Sequence, residues 1–239
     1  MKPYGRMWAT LKNDLKFQYR HGFYWAYLIV LAVYIAVLVN LPPGEIKIKA
    51  AIFILFSDTA VVGIFFIGAL ILLEKGQNIL ESLFVTPLKL SEYLISKYFS
   101  LTLLALVASL AIVITVTGTL ANFVIFTIGI LFISISFISF GIAIAANSKT
   151  VNDYFYKITI YTFILFIPLL DFFELYHSPY IFIIPTQAVF IIFKAVFYPV
   201  NLNELVYATL MLLTTSLISY LWAVRRFNRF IILKIGAEK

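Results

Sequence analysis

The chain has 239 residues, of which 63% are hydrophobic and 12% are charged, whereas a soluble domain is about 45–50% apolar and about 25% charged. A globule of this size cannot bury that excess, so the composition excludes a soluble enzyme and a disordered chain and predicts an integral membrane protein. The absence of cysteine excludes thiolate metal sites, and the +7 charge does not indicate nucleic-acid binding, because the cations flank apolar runs.

The first 22 residues predict an amphipathic elbow helix on the membrane surface, either as an orientation anchor alone or also in contact with a cytoplasmic partner. Asp14 and Phe17 fit neither arc of the helical wheel. The apolar arc contains Tyr4, Met7, Trp8, Leu11, Leu15 and Tyr19. The contacts expected at the membrane surface are Trp8, Lys12, Lys16 and Arg20.

Six apolar runs predict membrane-spanning helices, because about 20 apolar residues cross the hydrocarbon core. The fifth run, Ile158–Phe173, is short and contains Pro168, which we interpret as a kink. Glycines such as Gly63 and Gly141 predict close helix packing. The other five runs are Phe23–Leu41, Ala51–Leu73, Tyr98–Gly118, Asn122–Ala146 and Leu205–Val224.

Between the last two runs lies Pro179–Phe197, which a proline and two polar residues break into short pieces. Such pieces favour a re-entrant or interfacial segment over a crossing, so we expect residues 174–204 to be external. With six spans, fifteen of the 18 cations lie on the side of both termini, and the positive-inside rule makes that side cytoplasmic. The three cations on the opposite side are Lys47, Lys49 and Lys194.

The second loop, residues 74–97, has the most informative sequence: it reads E-K-G-x-x-x-x-E-S-L-F-V-T-P-L and ends in E-Y-L-I-S-K. Residues Gln77–Val85 predict a short helix in which Leu80 and Phe84, four residues apart, share an apolar face. That face either is exposed and contacts a partner, or folds back onto the ends of the spans. This run resembles the cytoplasmic loop of ABC-2-type transporter permeases. The elbow, the six apolar runs and the external segment Ile183–Ala188 also resemble that family, and the chain is most similar to its small, drug-export-like permeases.

The resemblance implies a single permease domain over residues 1–239, in the plasma membrane, paired with a second permease subunit and with P-loop ATPase subunits. It implies that residues 74–97 form a coupling loop against the ATPase. No G-x-x-x-x-G-K-[ST] motif is present, so ATP and Mg are expected on the partner and no cofactor on this chain. The expected partner contacts are Glu74, Gly76, Leu80, Glu81, Leu83, Phe84, Thr86 and Pro87.

The expected function is that of a permease subunit of an ATP-driven exporter for a hydrophobic or amphipathic substrate, without enzyme activity of its own. The alternatives are a membrane-embedded enzyme, although no catalytic or metal constellation is visible, and an ion-coupled carrier. Asp58 lies near the external start of the second span and is either solvated at the interface or functional. Asp171 and Glu174 are further candidates for the substrate path, at the external end of the fifth span.

Overall fold

The computed structural model describes residues 3–118 and 122–233, and in this described part the chain forms helices and turns without β-strands. The helices are numbered here in chain order. The long helices are α2 (Phe23–Asn40), α3 (Glu45–Gly76), α5 (Leu90–Thr117), α6 (Phe123–Ala146) and α10 (Leu202–Ile232). The shorter helices are α1 (Pro3–Arg20), α4 (Ile79–Phe84), α7 (Val151–Leu165), α8 (Pro168–Phe172) and α9 (Pro185–Phe197).

The five long helices are apolar and long enough to cross a membrane, which confirms the prediction of an all-helical, multi-pass membrane protein. Each matches one of the five long apolar runs, although three of the runs extend one residue beyond their helix, at Leu41, Gly118 and Asn122. Three helices extend well beyond their runs. At 32 residues, α3 is about 48 Å long and exceeds a hydrocarbon core of about 30 Å, so its charged ends lie beyond that core.

The predicted fifth span differs from the others because it is broken. Helix α7 has 15 residues, a turn follows at Phe166 and Ile167, and α8 continues for only 5 residues from Pro168. Proline has no N–H to donate and its ring obstructs the preceding turn, which explains the break. Helix length therefore supports five membrane spans, and the count of six spans remains a prediction.

Helix α9 forms the centre of the segment predicted to be re-entrant. It has 13 residues and is about 20 Å long, which is shorter than the hydrocarbon core. Its side chains from Thr186 to Phe193 are all buried, and it packs against α3, α6 and α10. Helix α9 thus lies inside the protein, whereas Tyr180 and Ile183, which precede it in the same segment, are exposed.

Helices α3 and α6 approach closely at glycines, as the sequence predicts. Residues Val61–Phe66 of α3 form a π-helical segment, and a Cβ atom at Gly63 would lie 2.4 Å from Cβ of Phe137. On the facing side, a Cβ atom at Gly141 would lie 2.9 Å from the carbonyl oxygen of Gly63. Tyr154 of α7 donates a hydrogen bond to the Ile64 carbonyl at 2.6 Å, so three helices meet at the π-helical segment.

We predict that Gly63→Ala destabilises the protein, because the added methyl group overlaps atoms of α6 that cannot move independently. Overpacking of this kind costs about 1–3 kcal/mol. The measurement is the thermal unfolding midpoint in detergent. Gly76→Ala in the same helix is the matched control, since a Cβ there meets nothing within 4 Å. Equal midpoints for the two variants would contradict this packing.

Candidate functional site

Helix α1 packs against α5 through a face that contains polar residues. The buried stripe consists of Leu11, Asp14 and Gln18, whereas Trp8 and Tyr19 of the predicted apolar arc stay exposed. Asp14, which fits neither arc of the wheel, is buried and points into the protein. The expected surface residues Lys12, Lys16 and Arg20 are exposed, as a helix on the membrane surface requires.

Lys97 of α5 is the centre of a buried ion cluster that joins three helices. Its ammonium forms ion pairs with Asp14 of α1 and with Glu74 at the end of α3. The second oxygen of Asp14 accepts hydrogen bonds from Gln18 and from Ser100, at 2.9 and 2.8 Å. The second oxygen of Glu74 accepts one from Tyr93 at 2.6 Å. All four carboxylate oxygens are therefore hydrogen-bonded.

The cluster is almost completely buried: the side chains of Lys97, Asp14 and Glu74 are 2%, 4% and 6% exposed. Burying charges costs several kcal/mol each, and only well-placed partners offset this. Removing one member leaves the others without compensation, at a cost of about 3–5 kcal/mol. The cluster consequently fixes the relative positions of α1, α3 and α5 at the predicted cytoplasmic end.

A second, more exposed contact joins α1 to the start of α5. Glu92 accepts a hydrogen bond from the Lys89 backbone N–H at 3.0 Å, which caps the first turn of α5. Arg6 donates to the other Glu92 oxygen at 3.1 Å. The beginning of α5 is thus held by its own cap and by the amphipathic helix.

The loop of residues 74–97 is held against the bundle by residues that were expected to face a partner. Glu74 and Leu80 are buried, so the prediction that they contact the ATPase does not fit their positions. The ring of Phe84 contacts those of Tyr93 and Phe227, with centroids 5.7 and 5.9 Å apart. The expectation of an exposed Leu80–Phe84 face is therefore wrong for Leu80, whereas Phe84 is half-buried against the ends of the long helices.

The side of this loop that faces away from the long helices is more exposed. Helix α4 is only Ile79–Phe84, shorter than the expected Gln77–Val85. Leu83 is half-buried, and Val85 is 58% exposed. Of the other expected contact residues, those that remain exposed are Gly76, Glu81, Thr86 and Pro87.

Between α1, α4 and α5 lies a cavity of about 220 Å³ that borders the ion cluster. Leu83 of α4 forms part of its wall, together with Asp14, Glu74 and Tyr93. Leu83 is half-buried, so α4 covers this cavity only in part. The loop is anchored at both of its ends and has space beneath its centre.

Asp58 is fully buried between helices, so the interpretation that it is solvated at the membrane interface is wrong. The Tyr27 hydroxyl of α2 donates to Oδ2 of Asp58 at 2.8 Å. Among the described residues, Oδ1 has no hydrogen-bond partner. A carboxyl group at this depth is costly, and such groups mark functional positions in membrane helices.

The other two substrate-path candidates meet at the opposite end of the bundle, around a cavity of about 530 Å³. Lys49 of α3 forms ion pairs with Glu174 at 2.8 Å and with Glu45 at 3.0 Å. Asp171 pairs with His177 at 2.7 Å. The Lys49 ammonium holds the pKa of the Glu174 carboxyl below its usual range.

The described part of the chain contains no group of three or more metal-ligating side chains, and its charged residues concentrate at the two ends of the long helices. Apolar spanning helices with charged residues at both ends and a short loop helix at one end are the architecture of a multi-pass membrane protein such as a permease. Comparison with known proteins gives the family directly.

The chain belongs to the fluoroquinolones export permease protein family, whose profile matches residues 5–235. Two relatives are named fluoroquinolones export permease proteins and come from Mycobacterium tuberculosis, one from strain CDC 1551 / Oshkosh and one from strain ATCC 25618 / H37Rv. Each is 26% identical to this chain over 198 residues, which cover 82% of this chain and 83% of the relative. This confirms the expectation of a transmembrane, drug-export-like permease.

We predict that Lys97→Met strongly destabilises the protein, by about 3–5 kcal/mol, because two carboxylates would stay buried without their cation. The measurement is the unfolding midpoint in detergent. The control is Lys157→Met, since the Lys157 side chain is 31% exposed and its pair with Asp153 is worth at most about 1 kcal/mol. Similar losses in both variants would contradict the role given to the cluster.

Proposed function

We propose that this chain is the permease subunit of an ABC-2-type exporter that uses ATP hydrolysed by a separate P-loop ATPase with its Mg. The observation that carries this proposal is the short helix α4, anchored to the long helices through Leu80 and Phe84 with its other side exposed. Membership in an export permease family supports the same assignment. Without a nucleotide motif, the chain needs a partner to supply the energy.

In this proposal, the ATPase contacts the outer side of α4, and the contact residues become Glu81, Val85, Thr86 and Pro87. Movement of α4 is transmitted through two routes. In the first route, a shift of Phe84 displaces Tyr93 and Phe227, whose rings it contacts. In the second route, a shift of Glu74 at the end of α3 displaces Lys97 of α5 through their ion pair. Because Lys97 also holds Asp14, the elbow helix moves with α5.

The topology proposed is six spans with both termini in the cytoplasm of a cell whose plasma membrane contains the protein. The positive-inside rule supports it, since fifteen of the 18 cations lie on one side. Helices α7 and α8 together serve as the fifth span, kinked at Pro168. Helix α9 serves as the external re-entrant segment. A second permease subunit, identical or different, completes the membrane part.

The proposed substrates are hydrophobic or amphipathic compounds, and the names of the relatives add fluoroquinolone drugs to that class. The described helices offer aromatic surface inside the bundle. Phe56, for example, contacts Phe166, Phe190 and Phe137 with ring centroids 4.6–6.0 Å apart. Planar aromatic compounds pack well against such rings.

We predict that Val85→Asp weakens association with the ATPase by about tenfold or more, because burying a valine contributes about 1.5 kcal/mol or more and a buried aspartate adds a desolvation cost. The measurement is the amount of ATPase that co-purifies with the permease. Val151→Asp is the matched control: Val151 is 50% exposed, similar to Val85 at 58%, and is the first residue of α7, after the other cytoplasmic loop. Full association of Val85→Asp, with insertion intact, would refute the contact.

An ion-coupled carrier is the second candidate, and buried Asp58 with its bond to Tyr27 favours it. Under the ATP-driven proposal, export in proteoliposomes depends on ATP and persists when a protonophore collapses the proton gradient. We predict that Asp58→Asn retains this ATP-dependent export within a few-fold. The ion-coupled carrier would be established instead if export needed no ATP and was lost both when the protonophore was added and in the Asp58→Asn variant.

A further inference from the structure

The cavity at the external end has the dimensions of a small-molecule site. Its volume of about 530 Å³ lies within the usual range of about 300–1,000 Å³. It is formed by the start of α3, the end of α8 with the loop that follows it, and the end of α9. Ile52, Phe172 and Tyr198 provide apolar and aromatic wall, and charged side chains of both signs surround them.

The carboxylates of this cavity already have partners. Glu45 and Glu174 share Lys49, at 3.0 and 2.8 Å. Asp171 accepts hydrogen bonds from His177 and from Gln187, both at 2.7 Å. A ligand cation would therefore have to displace an existing ion pair or hydrogen bond before it could bind here.

Lys194 is the exception among the charged residues of the cavity. In the described part of the chain, no carboxylate lies within 4 Å of its ammonium, which instead lies 5.5 Å from the centroid of the Phe172 ring. An ammonium group has three donors and a strong preference for anionic acceptors. Its charge acts on Glu174 at longer range, but Lys194 forms no ion pair of its own within the described residues, so it can pair with an incoming anion.

An aromatic stack continues from Lys194 into the protein. The Phe172 ring stacks on Phe190 with centroids 4.9 Å apart and an interplanar angle of 20°. Phe190 in turn contacts Phe56 at 4.6 Å. All three rings are buried, so they connect the external cavity with the aromatic interior of the bundle.

We propose that the external cavity binds planar aromatic carboxylates, with Lys194 pairing with the carboxylate and Tyr198 and Ile52 contacting the ring. This inference rests on the proposed export function, in which the cavity is the last binding site before release to the outside. Lys194 then determines specificity for substrates that carry a carboxylate. If Lys194 served only to complement the negative end of α9, ligand charge would not matter.

The test compares ciprofloxacin, a fluorescent aromatic carboxylate, with its ethyl ester, in which the carboxylate is masked. Binding to the purified full-length protein is measured by fluorescence titration. The unmodified protein should bind the acid more tightly than the ester. Lys194→Met, which keeps an unbranched chain but removes the charge, should weaken binding of the acid about tenfold and leave the ester unchanged.

Two controls make the comparison specific. Lys47→Met removes another cation of the external side that does not line the cavity, and it should bind both compounds as the unmodified protein does. Lys194→Arg should retain preference for the acid. Equal binding of acid and ester by the unmodified protein, or equal loss of both in Lys194→Met, would overturn the proposal.

Transport by the complete complex separates this inference from the function on which it rests. If the unmodified complex shows no ATP-dependent export of either compound, the proposed function fails. The binding titration then still tests whether the cavity binds aromatic carboxylates through Lys194. If export is ATP-dependent and Lys194→Met exports acid and ester in the unmodified ratio, only the inference about Lys194 fails.

Discussion

The arrangement of the cytoplasmic end depends on a lysine that is buried with two carboxylates. Lys97 holds Asp14 of the amphipathic helix and Glu74 at the end of α3, and hydrogen bonds from neighbouring side chains satisfy the remaining oxygens. A buried cluster of this kind is no more stabilising than well-packed apolar side chains, but it is very sensitive to the loss of one member. Its effect is geometric: three helices and the loop between them keep one relative position.

Helix α3 connects that cluster with the external cavity. Lys49 near its beginning and Glu74 near its end are separated by about 37 Å along the helix. Between them lie buried Asp58 and the π-helical segment Val61–Phe66, where Gly63 lets α6 approach. π-Helical segments often occur at functional positions in helices. The same helix therefore lies next to the proposed ATPase contact at one end and lines the proposed binding site at the other.

Much of the fold could be predicted from composition and hydropathy, because the length of an apolar run is set by the thickness of the bilayer. The five long helices, the packing glycines and the short helix of the second loop follow from such patterns. Burial within the loop could not be predicted, since exposed and inward-facing apolar residues have the same local sequence. Leu80 was therefore assigned to the wrong surface, and Phe84 is half-buried rather than exposed.

The ion cluster was missed for a related reason. Asp14 did give a signal, because an acidic residue fitted neither arc of the amphipathic helix. Lys97 gave none, since a lysine at the start of a span is fully accounted for by the positive-inside rule. Its pairing with residues 83 and 23 positions away is visible only once the helices are assembled. Asp58 was similarly ambiguous, because depth within a span does not reveal which side faces another helix.

The most direct test of the account is the number of substrate molecules exported per ATP hydrolysed by the reconstituted complex. The informative variant replaces the cluster with uncharged groups of similar shape: Asp14→Asn, Glu74→Gln and Lys97→Met together. This variant leaves no buried charge unpaired, so it should fold, bind the ATPase and hydrolyse ATP. The account predicts that it exports fewer molecules per ATP than the unmodified complex. An unchanged ratio would contradict the claim that the cluster transmits movement from the loop to the spanning helices.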